Sequence, residues 1–74
     1  MRAEDYDNTV LMLVYTRAAK NITAVEMAKI CKVSRQAIHD FETHKTVSYK
    51  LLLKYIAHLL SKEEAADLIE KWGK

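Results

Sequence analysis

Residues 23–42 read TAVEMAKICKVSRQAIHDFE, and two short helical patterns meet inside them across a break of about three residues. Thr23 with Glu26 three positions on forms a capping box, in which the hydroxyl takes a first-turn amide and the carboxylate returns to the amide of the cap. Val25, Met27, Ala28 and Ile30 then supply the apolar face of a short helix. Ser34 opens a second helix. Its apolar positions Ala37, Ile38 and Phe41 fall at helical spacing, which leaves Arg35, Gln36, His39 and Asp40 on the outward side. Ala28 is small where two helices approach closely, and Val33 is placed to plug the corner between them.

The flanks read as supports for this unit. Met1 to Asn8 is polar and expected to fray, with Asp5 or Asp7 as an N-cap. The first helix runs to about Ala19. Its apolar positions Val10, Leu11, Leu13, Val14, Tyr15 and Ala18 span a face wide enough to wedge between two neighbours or to keep one side for a partner. Lys20, Asn21 and Ile22 connect, and asparagine tolerates the left-handed conformation common at helix ends. After Glu42, Thr43 to Val47 is a polar loop carrying His44 and Lys45. Ser48 caps a fourth helix in which Leu51, Leu52, Tyr55, Ile56, Leu59 and Leu60 recur as an apolar spine, with Lys50 and Lys54 on the polar side. Ser61 with Glu64 is a second capping box. It starts a fifth helix with Ala65, Leu68, Ile69 and Trp72 on one face and Gly73 as its C-cap.

With 74 residues the chain is expected to be one domain, residues 1–74, near the size at which a single core is barely sufficient. Half the residues are hydrophobic, proline is absent and no alternating strand pattern occurs, so the fold class expected is all-α, a five-helix bundle. No window approaches the roughly 18 apolar residues of a membrane span, and the acidic start is unlike a signal peptide, so a cytoplasmic protein is expected. Cys31 is the only cysteine and reads as a small buried hydrophobe. His39, His44 and His58 lack metal-ligand spacing, and no nucleophile–base pattern or phosphate-binding glycine loop is present. No metal, no cofactor and no enzymatic activity are expected. The scattered tyrosines and Trp72 read as packing residues. The net charge of +2 is unevenly spread: Arg17 to Lys54 holds eight Lys/Arg against three Asp/Glu, and the flanks four against seven. A basic middle between acidic ends fits a nucleic-acid surface.

Arg17 to Leu59 resembles the phage repressor and Cro type of helix-turn-helix domain, also called the xenobiotic-response-element type and typified by lambda repressor. The resemblance rests on Arg17-Ala-Ala-Lys-Asn-Ile-Thr, Met27-Ala28, Val33-Ser34-Arg35, Ile38, Phe41-Glu42, and Lys54, Ile56, Ala57 and Leu59 in the fourth helix. The chain departs from the family pattern at three places: Ala24 where the family has a phosphate-clamping glutamine, Lys32 where it has a turn glycine, and Glu42-Thr43-His44 where it has a Glu-Arg-Gly corner.

The resemblance implies a sequence-specific regulator of transcription, a repressor in kind, that lays helix 34–42 in the major groove of a double-stranded DNA operator as a homodimer. Arg35, Gln36, His39 and Asp40 are the expected base readers, since arginine pairs with guanine and glutamine with adenine. Thr23, Lys32, Ser34, His44, Lys45, Ser48, Tyr49 and Lys50 are the expected phosphate contacts. Arg17 and Glu42 are expected to form an internal ion pair, and Leu68, Ile69 and Trp72 a dimer surface. The alternative is a protein-interaction module on the same fold, antitoxin-like or an anti-repressor, binding a protein partner through its first or fifth helix.

Overall fold

The computed structural model describes residues 2–72, which form five helices and no strand: α1 (Ala3–Ala19), α2 (Ala24–Cys31), α3 (Arg35–Glu42), α4 (Tyr49–Leu59) and α5 (Lys62–Trp72). The all-α five-helix bundle expected from the periodicity is the architecture found. Gly73, expected to cap α5, lies outside the described residues.

One core runs through the bundle. Val10 and Leu13 of α1, Met27 and Cys31 of α2, Ile38 and Phe41 of α3, and Leu52, Tyr55 and Leu59 of α4 are buried in it, and the Phe41 and Tyr55 rings meet with centroids 4.8 Å apart. Helix α5 has no fully buried residue and rests on the core through Ala65, Leu68 and Trp72.

Side-chain caps start four of the helices. Thr23 Oγ1 accepts from the Glu26 amide while Glu26 Oε1 accepts from the Thr23 amide; Ser34 Oγ accepts from Ala37, Ser48 Oγ from Leu51 and Ser61 Oγ from Glu64. Helix α1 differs. Neither Asp5 nor Asp7 caps it: the helix begins at Ala3 after Arg2, with Glu4 and Asp5 in the first turn, where negative charge suits the helix dipole. Residues 3–8, expected to fray, are helical, and Tyr6 inside this polar run is 3% exposed, its Oη accepting a hydrogen bond from the Ser48 amide at 2.9 Å.

Helix endings are equally regular. Asn21, Lys32 and His44 all have φ near 60°. In each case the left-handed residue donates three residues back and its successor five back: Asn21 to Ala18 and Ile22 to Arg17, Lys32 to Lys29 and Val33 to Ala28, His44 to Phe41 and Lys45 to Asp40. These are Schellman closures built without glycine. Lys32 therefore takes the turn conformation a glycine would take, and Val33 behind it packs on the core.

The apolar face assigned to residues 24–31 needs correction. Met27, Ala28 and Cys31 are buried, but Val25 is 41% and Ile30 37% exposed. At about 100° per residue, Met27, Ala28 and Cys31 share an arc about 100° wide, and Val25 and Ile30 sit on its shoulders. The wide face of α1 divides as well: Val10 and Leu13 turn inward, while Leu11 and Tyr15 are exposed.

Candidate nucleic-acid interface

Helix α3 is fastened at its rear and open at its front. Ile38 and Phe41 are fully buried beneath it. At its end Glu42 accepts from Arg17 Nε and Nη2, both at 2.8 Å, and from Tyr55 Oη at 2.6 Å. Arg17 Nη1 also donates to the Ile22 carbonyl at 2.7 Å, so one guanidinium ties α1, the connection after it and the end of α3 together. Hydrogen bonding to Glu42, against an opposing desolvation, holds the Arg17 guanidinium above its ordinary pKa. Burial, then the bond to Glu42, pushes the Tyr55 phenol up. The backbone end of α3 is pinned too, because the Asp40 carbonyl accepts from the Lys45 and Thr46 amides.

On the front, Arg35, Gln36 and His39 are exposed and Asp40 is half-buried. Gln36 Nε2 donates to Asp40 Oδ1 at 2.8 Å. Open concavities lie along both flanks of the helix. One is lined by Ala24, Ser34, Arg35, Gln36 and His39; the other takes in Lys32, Asp40, Ser48, Lys50 and Lys54. Of the four residues expected to read bases, Arg35, Gln36 and His39 thus share one concavity, while Asp40 lines the other and meets them through its hydrogen bond to Gln36.

The residues expected to contact phosphate divide into two sets. Ser34 is exposed at the start of α3, Lys32 is exposed at the turn, and Lys45, Tyr49 and Lys50 are exposed beyond α3. Tyr49 also lays its ring edge-on against Tyr6, with centroids 5.4 Å apart. Thr23 and Ser48 are committed within the chain, and His44 is exposed beside an acidic neighbour. The Thr23 hydroxyl and amide both face Glu26; the Ser48 amide is given to Tyr6; and His44 Nδ1 lies 3.6 Å from an Asp7 carboxylate oxygen. Lys54, on the polar side of α4, donates its ammonium to the Cys31 carbonyl at 2.7 Å and closes the end of α2.

Of the three residues expected at a dimer surface, Leu68 and Trp72 are half-buried and line a shallow groove with Asp5, Thr9 and Met12, while Ile69 is 53% exposed. Three supporting roles went unread in the sequence, those of Tyr6, Lys54 and Tyr55. For Tyr55 a signal existed, a hydroxyl inside an otherwise aliphatic spine. Among the described residues no helix is long and apolar enough to cross a membrane, and no group of three or more His, Cys, Asp and Glu is placed to hold a metal ion. Comparisons with protein-family models, with characterised proteins and with solved structures return no match.

Proposed function

We propose that the chain is a sequence-specific double-stranded DNA-binding regulator, a repressor, that inserts α3 into the major groove with Arg35, Gln36 and His39 toward the base edges. The observation that carries this reading is the asymmetry of α3. Its rear is locked by Glu42 to Arg17 and Tyr55, while its front is polar and exposed. Eight residues make a helix about 12 Å long, comparable with the roughly 12 Å width of the groove. Lys32, Ser34, Lys45 and Lys50 flank the reading face with donors for phosphate, which fix register without reading sequence. The resemblance to the phage repressor type of domain points the same way.

One such module reads too few base pairs for selectivity, so the operator is expected to carry two half-sites roughly 34 Å apart, bound by two copies. Sedimentation of the chain on a selected duplex tests the stoichiometry; one copy per duplex would remove the dimer from the proposal.

The direct test is selection from a random duplex pool followed by titration in increasing salt. Wild-type affinity should fall steeply with salt, as counterions released by phosphate contacts require. Arg35→Ala should cost about 1–3 kcal/mol on the selected duplex and relax one base position. Unchanged affinity and selectivity in Arg35→Ala would reject α3 as the reader.

A second reading, a module that binds another protein, draws on α1, where Leu11 is 45% and Tyr15 72% exposed one turn apart. A chain that shows no salt-dependent binding to any duplex favours it.

A further inference from the structure

Within the reading face, one contact sets what the face presents. Gln36 Nε2 lies 2.8 Å from Asp40 Oδ1, one helical turn away. A carboxylate only accepts hydrogen bonds, whereas a glutamine amide has one face that donates and one that accepts. The opposite orientation of the Gln36 amide would set its oxygen against the Asp40 oxygen with no hydrogen between them. Asp40 therefore fixes the amide: one N–H is consumed, and one N–H and the carbonyl oxygen remain. The base of the pair is steady, because the Asp40 carbonyl is held by two amides at the end of α3.

We propose that Asp40 is a specificity-determining residue that orients the Gln36 amide so that α3 offers one donor and one acceptor side by side, the complement of adenine in the major groove. Adenine presents N7 as acceptor and its N6 amino group as donor; guanine presents two acceptors, N7 and O6. A glutamine free to turn can point both amide hydrogens at guanine. One held by Asp40 has a single hydrogen left and sets its own oxygen against O6. The position of an anion in a surface meant for phosphates then has a reason: it lowers affinity for every duplex and raises the distinction between two purines.

This inference rests on the reading of α3 as the DNA-contacting helix, and the experiment separates the two. Duplexes carrying each of the four bases at the position that Gln36→Ala relaxes are titrated with wild type, Asp40→Ala and Asp40→Glu, with melting curves confirming that each variant is folded. Wild type should prefer adenine to guanine by about tenfold, within the range of a good base contact. Asp40→Ala should bind all the duplexes more tightly while the adenine-to-guanine ratio falls to about twofold, and Asp40→Glu, which keeps a carboxylate one turn from Gln36, should restore most of the preference. In the free protein, the Gln36 side-chain amide resonances should shift between wild type and Asp40→Ala. Tighter binding with an unchanged ratio, or a guanine preference in wild type, overturns the role of Asp40 and leaves the reading helix standing. Absence of selective binding by wild type overturns both.

Discussion

Glu42 gathers three donors onto one carboxylate, two from Arg17 and one from Tyr55, and its side chain and that of Arg17 are only 12% and 14% exposed. Removing it leaves a guanidinium and a phenol without their acceptor, and the loss of hydrogen bonds to a charged group costs roughly 1.5–3 kcal/mol. Glu42→Ala is therefore expected to lower the melting temperature by about 10 °C, on the scaling for a domain of this size; an unchanged melt would show that the ion pair contributes only orientation. The same cluster imposes a pH limit. The Tyr55 phenol is held protonated by burial and by Glu42. The unfolded chain releases that proton near the ordinary tyrosine value, about pH 10, and the folded chain does not. The stabilisation is complete below that pH and falls above it by about 1.4 kcal/mol per pH unit. Urea midpoints of wild type and Tyr55→Phe between about pH 9 and about pH 11 should diverge, with the steeper alkaline loss in wild type; parallel slopes would place the titrating group elsewhere.

At the scale of the elements, the boundaries matter more than the interiors. Four helices start on a Ser or Thr cap, and three end on a left-handed residue other than glycine. Asparagine and histidine visit that conformation several-fold more often than most residues. Lysine has no such advantage, so of Asn21, Lys32 and His44 the strain is greatest at Lys32. Lys32→Gly should stabilise the fold by roughly 0.5–1 kcal/mol, part of the relief being offset by the freedom glycine gains in the unfolded chain. Under the proposed function the same substitution weakens duplex binding, since it removes a cation beside α3. A urea melt and a duplex titration on one variant separate these effects, and a destabilised Lys32→Gly would contradict the strain.

These boundaries were largely legible, because a cap is a local event: Thr23, Ser34, Ser48 and Ser61 need only the next three residues to act. The spine of α4 was legible for the same reason. Tyr6 was not, since its partner Ser48 lies 42 positions away and its neighbours in sequence are polar. The exposure of Val25 and Ile30 was also hidden, and so was the choice of Leu11 and Tyr15 as the open side of the wide α1 face. Periodicity says which residues share a face, and the width of the buried arc depends on how many helices press upon it. At the candidate site, the outward group Arg35, Gln36, His39 and Asp40 followed from the spacing of Ile38 and Phe41. The engagement of Thr23 and Ser48 within the chain depends on contacts no spacing reveals.

The whole molecule separates charge as well as shape. Glu4, Asp5 and Asp7 lie on α1 and Glu63, Glu64, Asp67 and Glu70 on α5, while the basic excess lies in the chain between them, much of it in the connections through Lys20, Lys32 and Lys45. Such a distribution orients a molecule as it approaches a polyanion, an effect that fades with ionic strength. Adhesion of the elements is uneven too. Cys31, 1% exposed at the end of α2, stands at the opposite extreme from α5, which buries no residue fully. Burial also pushes the Cys31 thiol up, which leaves little thiolate even when reagent is at hand. Alkylation of this sole thiol must wait for the helices to part, so the chain carries its own clock: the labelling rate counts openings of the turn beneath α3. That rate should fall far below the rate for the denatured chain and, under the proposed function, slow further under saturating duplex, in proportion to the occupancy of the closed form. Labelling at the denatured rate would mean that the joint between α2 and α3 is open most of the time.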